Sequence, residues 1–455
     1  MSKNIFVIFL IFLSFSAFSQ SNQMPFLPDV SEVTESSPMA MPDVWTFEDC
    51  VQWAVANNND VRRSLLAILE AQEDIGMAED AWLPTVGFSM NHNYNNYPFP
   101  QEGQRGNIYG SSYGVNASWT IWEGNIRNYR LETAKLIKRQ QRFAGNNIIK
   151  ELELGILQAY LNIMYAAEAI EIANKSLEVS TAQTARAKRL MENGKISKVD
   201  YVQLESQKAQ DEYNLVQAQS NYATTKANLK NILNLGLDYN INIKTITFND
   251  SEVNSPLPPK MEVYEYASSW LPLFKSNELD REIYAYNLKI AKAGYYPTIT
   301  LNGGIGSGYT SGGPSWGSQM GHGLNENIGL SFSVPIYDGN ATKRQIAMAK
   351  LEALNYDLNR TELLNQLSQT LENLYIEAEN ARAKFKSGLI QLEATELSSQ
   401  LVDRQFELGL VNPLELLTAH NNLLNARLEL LQSKYMAILS NKTINYYATT
   451  GISLP

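Results

Sequence analysis

The sequence predicts a mainly α-helical, duplicated chain in which long coiled-coil hairpins alternate with pairs of β-strands, and three observations carry that reading. Segments of the second half match segments of the first in chemistry and order, at a nearly constant offset. Within each copy the apolar period changes from helical to two and back again. Proline, which interrupts helices, is absent from 101 to 255 and from 336 to 412, although the chain holds 16.

The 455 residues begin with Lys3, an apolar run from Ile5 to Leu13, and Ala17 and Ser19 in a small-residue cleavage pattern. This predicts a signal peptide over 1–19, too short in its apolar part to span a membrane. Residues 20–44, with Pro25, Pro28, Pro38 and Pro42, read as an extended linker. Order starts at Thr46, where Thr46 and Asp49 form the two ends of a capping box.

Copy one is assigned to 45–235 and copy two to 263–450, with a proline-bearing connector over 236–262 that holds a short alternating stretch, Ile241 to Phe248. In copy one, Ala78 to Thr85 answers Ala291 to Thr298 of copy two. Gly124, Lys135, Gly194 and Asp200 answer Gly339, Lys350, Gly409 and Glu415, all four pairs at one and the same separation.

The strand pairs are expected over 83–122 and 296–337. In the clearest strand, Ile328, Leu330, Phe332, Val334 and Ile336 oppose Asn327, Gly329, Ser331 and Ser333. The polar faces are Asn, Ser, Thr and Gly, and aromatic residues recur near strand ends. That pattern suits strands crossing a bilayer, and also a soluble sandwich.

What lies between the strands separates the two readings. Leu152, Ile156, Ala159, Ile163, Ala166, Ile170, Ala173 and Leu177 alternate spacings of four and three, and Leu367 to Leu392 repeats the pattern at the offset that carries Gly124 to Gly339. This is a coiled-coil seam. A continuous helix from Gly124 to Met191 would reach about 100 Å. Each rod stops at a glycine, Gly194 or Gly409, where a helical hairpin turns back.

Strand pairs set between long duplicated helices, behind a signal peptide and with glycine-turned tips, resemble the TolC family of outer-membrane efflux and secretion channels over residues 45–450. The resemblance implies a mainly α protein carrying a membrane β-barrel, four transmembrane strands per protomer and a twelve-stranded barrel in a trimer. Independent physics agrees that four strands cannot close alone, since single barrels start at about eight. The resemblance also implies a passive exit duct of a tripartite efflux pump or type I secretion system in the bacterial outer membrane, extending into the periplasm. Its partners would be a periplasmic adaptor, an inner-membrane transporter and outer-membrane lipid. The tips Gly194, Lys195, Ile196, Ser197, Gly409, Leu410, Val411 and Asn412 match the adaptor-docking turns, with Ile196, Leu410 and Val411 as exposed apolar contacts. Asp200 and Glu415 match two acidic positions at the pore entrance. Thr418 and Val411 depart from the family pattern there, which puts an ion-pair lock in doubt.

Other function classes fare poorly. With 37 basic and 47 acidic residues the net charge is −10, against a nucleic-acid binder. The single cysteine, Cys50, allows neither a cystine framework nor a Cys-rich metal site within one chain. His92, His322 and His420 are scattered and are expected in surface or loop positions. No phosphate-binding glycine loop, no nucleophile with its base and no metal cluster is written in the sequence, so no catalytic residue and no cofactor is assigned. The alternative from another class is an exported coiled-coil scaffold or adhesin without a pore.

Overall fold

The structure, a computed structural model, describes residues 41–103, 105–449 and 454. The expected signal peptide, most of the linker and residue 450 lie outside the described residues. Helix α1 (Phe47–Asn57) opens on the expected capping box: the Asp49 N–H donates to Thr46 Oγ1 at 3.1 Å, and the Thr46 N–H to Asp49 Oδ2 at 3.0 Å. Then follow α2 (Asn59–Asp80), β1 (Thr85–Asn96), β2 (Asn107–Glu123), α3 (Ile126–Glu192) and α4 (Lys198–Ile232). A short α5 (Asp250–Val253) precedes α6 (Lys260–Trp270), α7 (Pro272–Ala293), β3 (Thr298–Thr310), α8 (Trp316–His322), β4 (Asn325–Ser333), α9 (Ala341–Glu407) and α10 (Pro413–Ala448).

The duplication is visible in the element lengths. Helices α1 and α6 have 11 residues each, α2 and α7 have 22, and α3 and α9 have 67. At about 1.5 Å per residue each long helix spans on the order of 100 Å. Helix α3 packs antiparallel on α4, and α9 on α10, as two hairpins. The seam positions Ile156, Ile163, Ala166 and Ala173 are buried in α3, as are Leu371, Ala378, Ala381 and Phe385 in α9. Gly388 lets α9 approach α10 closely, since a Cβ there would sit 3.2 Å from Leu430 Cδ1.

The four strands form one antiparallel sheet in the order β1-β2-β3-β4, with β1 and β4 as open edges among the described residues. Registers Thr85 with Ser118 and Thr298 with Ser333 describe the two hairpins. Side chains of Val86, Phe88, Met90, Val115, Trp119, Ile305, Ile328, Leu330 and Phe332 share one face and are exposed. The opposite face carries Thr85, Ser89, Asn91, Asn93, Asn116, Ser118, Asn302 and Asn327, with glycines between them and one charged residue, Glu123, where β2 ends opposite Thr298. Strand β4 stops at Ser333, short of the expected Ile336, because the ladder with β3 ends at Thr298, beside Pro297.

The main core lies midway along the rods. Trp45, Phe47, Trp53, Ile156, Tyr160, Leu229, Phe248 and Tyr435 are buried there together. The connector's expected strand reduces to a single parallel bridge, Trp45 with Ile243. Among the described residues its partner is one residue long, since the chain turns into α1 at Thr46. Burial, then the carboxylates of Asp49 and Glu48, push the Cys50 thiol up to about 12, so it is inert.

Both crossings from strand to long helix use consecutive left-handed residues, Gly124 and Asn125 at φ 67° and Gly339 and Asn340 at 66° and 65°. A Cβ on Gly124 would lie 3.0 Å from Tyr296 Cβ and 3.1 Å from Ala293 O, whereas nothing lies within 4 Å of one on Gly339. Gly339→Ala is therefore expected to cost only the left-handed strain, about 1 kcal/mol. Gly124→Ala should cost measurably more, and comparing the two thermal midpoints tests this.

Candidate channel entrance and docking tips

The two tips are built alike. Gly194 at φ 70° and Gly409 at φ 72° turn the chain out of the long helices. The Gly194 N–H donates to Met191 O at 2.9 Å and that of Lys195 to Leu190 O at 2.8 Å. In copy two the Gly409 N–H donates to Phe406 O at 3.0 Å and that of Leu410 to Gln405 O at 2.9 Å. These paired bonds satisfy helix-end carbonyls that have no partner within the helix.

The return helices are then capped by their own first turns. Ser197 Oγ accepts from the Asp200 N–H at 3.1 Å, and Asp200 Oδ2 from the Ser197 N–H at 3.0 Å. Asn412 Oδ1 accepts from the Glu415 N–H at 3.0 Å, and its amide donates to Glu415 Oε1 at 3.3 Å. Asp200 and Glu415 thus occupy matched places at two helix N-termini, where negative charge is favoured.

Beneath the turns lies a small apolar cluster of Ala187, Leu204, Phe406 and Leu416. Ile196 and Val411, expected as exposed contacts, instead fold inward against this cluster, because the short turns have no other apolar surface to cover it. Leu410 does stay outside, 70% exposed, and Leu408, Leu414, Val199 and Val202 are exposed around it.

Polar links tie the two hairpins together just above the tips. Arg186 on α3 reaches Glu407 on α9 at 2.6 Å, and Arg404 holds the other Glu407 oxygen at 2.7 Å. The Arg404 hydrogen bond leads the effects that hold this carboxyl below its ordinary range. Gln183 donates to Asp403 across the same gap at 3.2 Å.

The sequence reading missed a buried polar cluster of this region. His420 is on α10 and 5% exposed, not on a surface or loop. Its Nε2 lies 3.0 Å from Asp211 Oδ2 on α4 and 2.9 Å from Ser176 Oγ on α3, so three helices meet at one imidazole. Burial alone would raise the Asp211 carboxyl, but hydrogen bonds from His420, Ser180 and Gln207 and the attraction of His420 bring it below its ordinary value of 3.8. The group does not have the layout of a hydrolase triad, which needs the acid and the hydroxyl on opposite ring nitrogens. Asp211 and His420 are 209 residues apart and share no motif, so only their presence at inward helix positions could have flagged them. His92 and His322 are exposed, on β1 and at the end of α8. Among the described residues no group of three or more His, Cys, Asp or Glu could hold a metal ion, and no helix is long and apolar enough to cross a membrane.

Long duplicated hairpins, an open sheet with one apolar face and paired glycine tips define an outer-membrane channel fold, and the chain belongs to the outer membrane efflux protein family, which matches residues 50–235 and 269–445. It is 20% identical over 388 residues to the outer membrane efflux protein BepC of Brucella suis biovar 1, covering 85% of this chain and 82% of BepC. It is 21% identical over 427 residues to the proteases secretion protein PrtF of Dickeya chrysanthemi, covering 90% and 88%. The fold is similar to the CmeC outer membrane channel of Campylobacter jejuni, with a TM-score of 0.69 at 16% identity over 88% of this chain and 86% of that one. The protein is therefore a TolC-like transport protein of the bacterial outer membrane.

The Asp211 carboxyl titrates lower in the folded chain than in the unfolded one. Its stabilising contribution is thus complete above about pH 4 and is lost as the pH falls through the folded value. Asp211→Asn and His420→Ala are each expected to destabilise the protein at pH 7, the latter by about 3 kcal/mol because it strands a buried carboxylate. Thermal unfolding at pH 7 and pH 3 should show the penalty of Asp211→Asn shrinking in acid.

Proposed function

We propose that three copies of this chain close a twelve-stranded barrel and a helical tunnel, forming the passive exit duct of a tripartite efflux pump or type I secretion system. The observation that carries this reading is that the junction between copy one and copy two within the chain has an unfilled counterpart on the outside. Inside, β2 pairs with β3, and α7 packs on both α3 and α9, with Leu279 and Ile283 against Leu136 and Phe143. Outside, β4 and β1 have free edges, and Leu351 and Leu358 on α9, which stand in copy two where Leu136 and Phe143 stand in copy one, are exposed.

A second copy supplies what is missing. Its β1 pairs with β4 as β3 pairs with β2, and its α2 covers α9 as α7 covers α3. Exposed seams remain for the tunnel: Val199, Val202, Ser206, Ala209, Tyr213 and Val216 on α4, and Ile390, Ala394, Leu397 and Leu401 on α9. Both alternate by threes and fours, as packing between helices of adjacent protomers requires. The sheet's apolar face then meets lipid. Aromatic residues from Tyr109 at one end of β2 to Trp119 at the other bracket about 25 Å, the height of an apolar barrel band.

The polar inner face lets cargo pass without a binding site, and energy comes from an inner-membrane transporter. The periplasmic adaptor docks on the exposed leucines around Gly194–Ser197 and Gly409–Asn412, Leu410 foremost. Asp200 and Glu415, repeated by the threefold axis, surround the entrance and favour cations. Opening separates the two hairpins of each protomer near Arg186, Glu407, Gln183 and Asp403.

Ala117 pairs with Gly303 inside the chain, and the corresponding positions of the opposite copies are Phe332 and Met90. A Phe332→Cys, Met90→Cys double variant should therefore form covalent trimers with a short thiol cross-linker, while Phe332→Cys with Val86→Cys should not. Monomers that wash from membranes in carbonate would instead favour the scaffold reading. Leu410→Asp is expected to abolish export while leaving the trimer intact, measured by drug or protein release beside native gel mobility.

A further inference from the structure

The segment between β3 and β4 contains α8, which has no counterpart among the described residues of the loop between β1 and β2. It does not project freely. The Ser307 hydroxyl donates to Met320 O at 2.7 Å, and the Gln319 side chain accepts from the Thr310 N–H and donates to Thr310 O, both at 2.9 Å. Ser307 shares the face of Leu301 and Ile305 by alternation along β3, so α8 lies against the apolar, outward face of the sheet. Gln319 at the same time satisfies backbone groups of β3 beyond the point where β4 begins at Asn325, an edge that water or another strand would otherwise occupy.

The height of α8 is set by its neighbours. Ser307 stands two residues from Tyr309, which contacts Tyr109, which in turn stacks on His92. This is the aromatic belt at the end of the sheet farthest from the long helices. The outward surface of α8 carries Trp316, more than half exposed, with Met320 one turn on and Leu324 exposed beyond it. From Ser311 to Leu324 there is no carboxylate to repel an anionic headgroup, and the next one, Glu326, lies on β4 opposite Ile305, on the outward face. Tryptophan and apolar side chains at this depth favour the boundary between headgroups and acyl chains.

We propose that α8 is an interfacial foot, seated in the outer leaflet of the outer membrane beside the barrel and not reaching over its mouth. This rests on the barrel reading above and adds a lipid contact specific to copy two. Neighbouring protomers would place three such feet around the rim.

Gly317 and Gly321 have nothing within 4 Å of an added Cβ, so cysteines there disturb no packing, and buried Cys50 does not compete for label. Nitroxides at Gly317→Cys and Gly321→Cys, in protein reconstituted in nanodiscs of phosphatidylethanolamine and phosphatidylglycerol, are to be compared with labels at Ile328→Cys on the sheet face and Leu410→Cys at the tip. The proposal expects collision with oxygen to exceed collision with a water-soluble nickel chelate several-fold at both α8 positions, as at Ile328. Water-like ratios at both α8 positions with a lipid-like Ile328 overturn the foot and leave the barrel standing. Water-like ratios at Ile328 as well overturn the barrel reading and the foot with it.

Discussion

Backbone hydrogen bonding is the constraint on which this architecture depends. A strand edge facing hydrocarbon leaves N–H and C=O groups without water, at a cost of several kcal/mol for each unsatisfied group. Among the described residues the sheet has two unpaired edges, β1 and β4, and one apolar face that α8 covers only at one end. In a bilayer neither feature would be tolerable in one copy alone. The same incompleteness recurs at every level: α9 lacks the helix that α3 has, and two heptad faces are bare. All of it follows from a duplication whose internal junction is satisfied and whose external junction is not.

The duplication also explains why the two copies are alike in length yet unlike in detail. In copy one Arg127 is buried at the strand-to-helix crossing, donating to Ala81 O and Ile121 O with its guanidinium 4.4 Å from the Trp82 ring. The matching position in copy two is Thr342, against Gly294, where a Cβ would come within 2.9 Å of Thr342 Oγ1. A large cation beside alanine in one copy and a small hydroxyl beside glycine in the other fill equivalent spaces. Gene-level repetition specifies backbone geometry, and each copy then adapts its side chains separately.

The tips divide their residues between those that build the turn and those left exposed. Ile196 and Val411 bury inward, and Asp200 and Glu415 each hold their own helix cap, so residues that resemble interface elements are also needed for the hairpin to turn at all. The exposed apolar surface is left to leucines on the outer shoulder, chiefly Leu408, Leu410 and Leu414. Holding the hairpins together falls to side chains slightly above, among them the buried Asp211–His420–Ser176 group, whose low-dielectric setting makes each of its hydrogen bonds consequential.

Periodicity and punctuation alone determined most of this fold. The long rods, their turn glycines, the strand pairs and the offset between copies could all be read, because each depends on local spacing that a chain carries wherever it goes. Strand β4 and the connector were legible only in part, since their extent depends on which partner strand is present. What the sequence could not show is the inward rotation of Ile196 and Val411, the meeting of Asp211, His420 and Ser176, and the seating of α8 on the sheet. Each joins residues distant in sequence or competing for the same small apolar space, and only tertiary packing decides such contests.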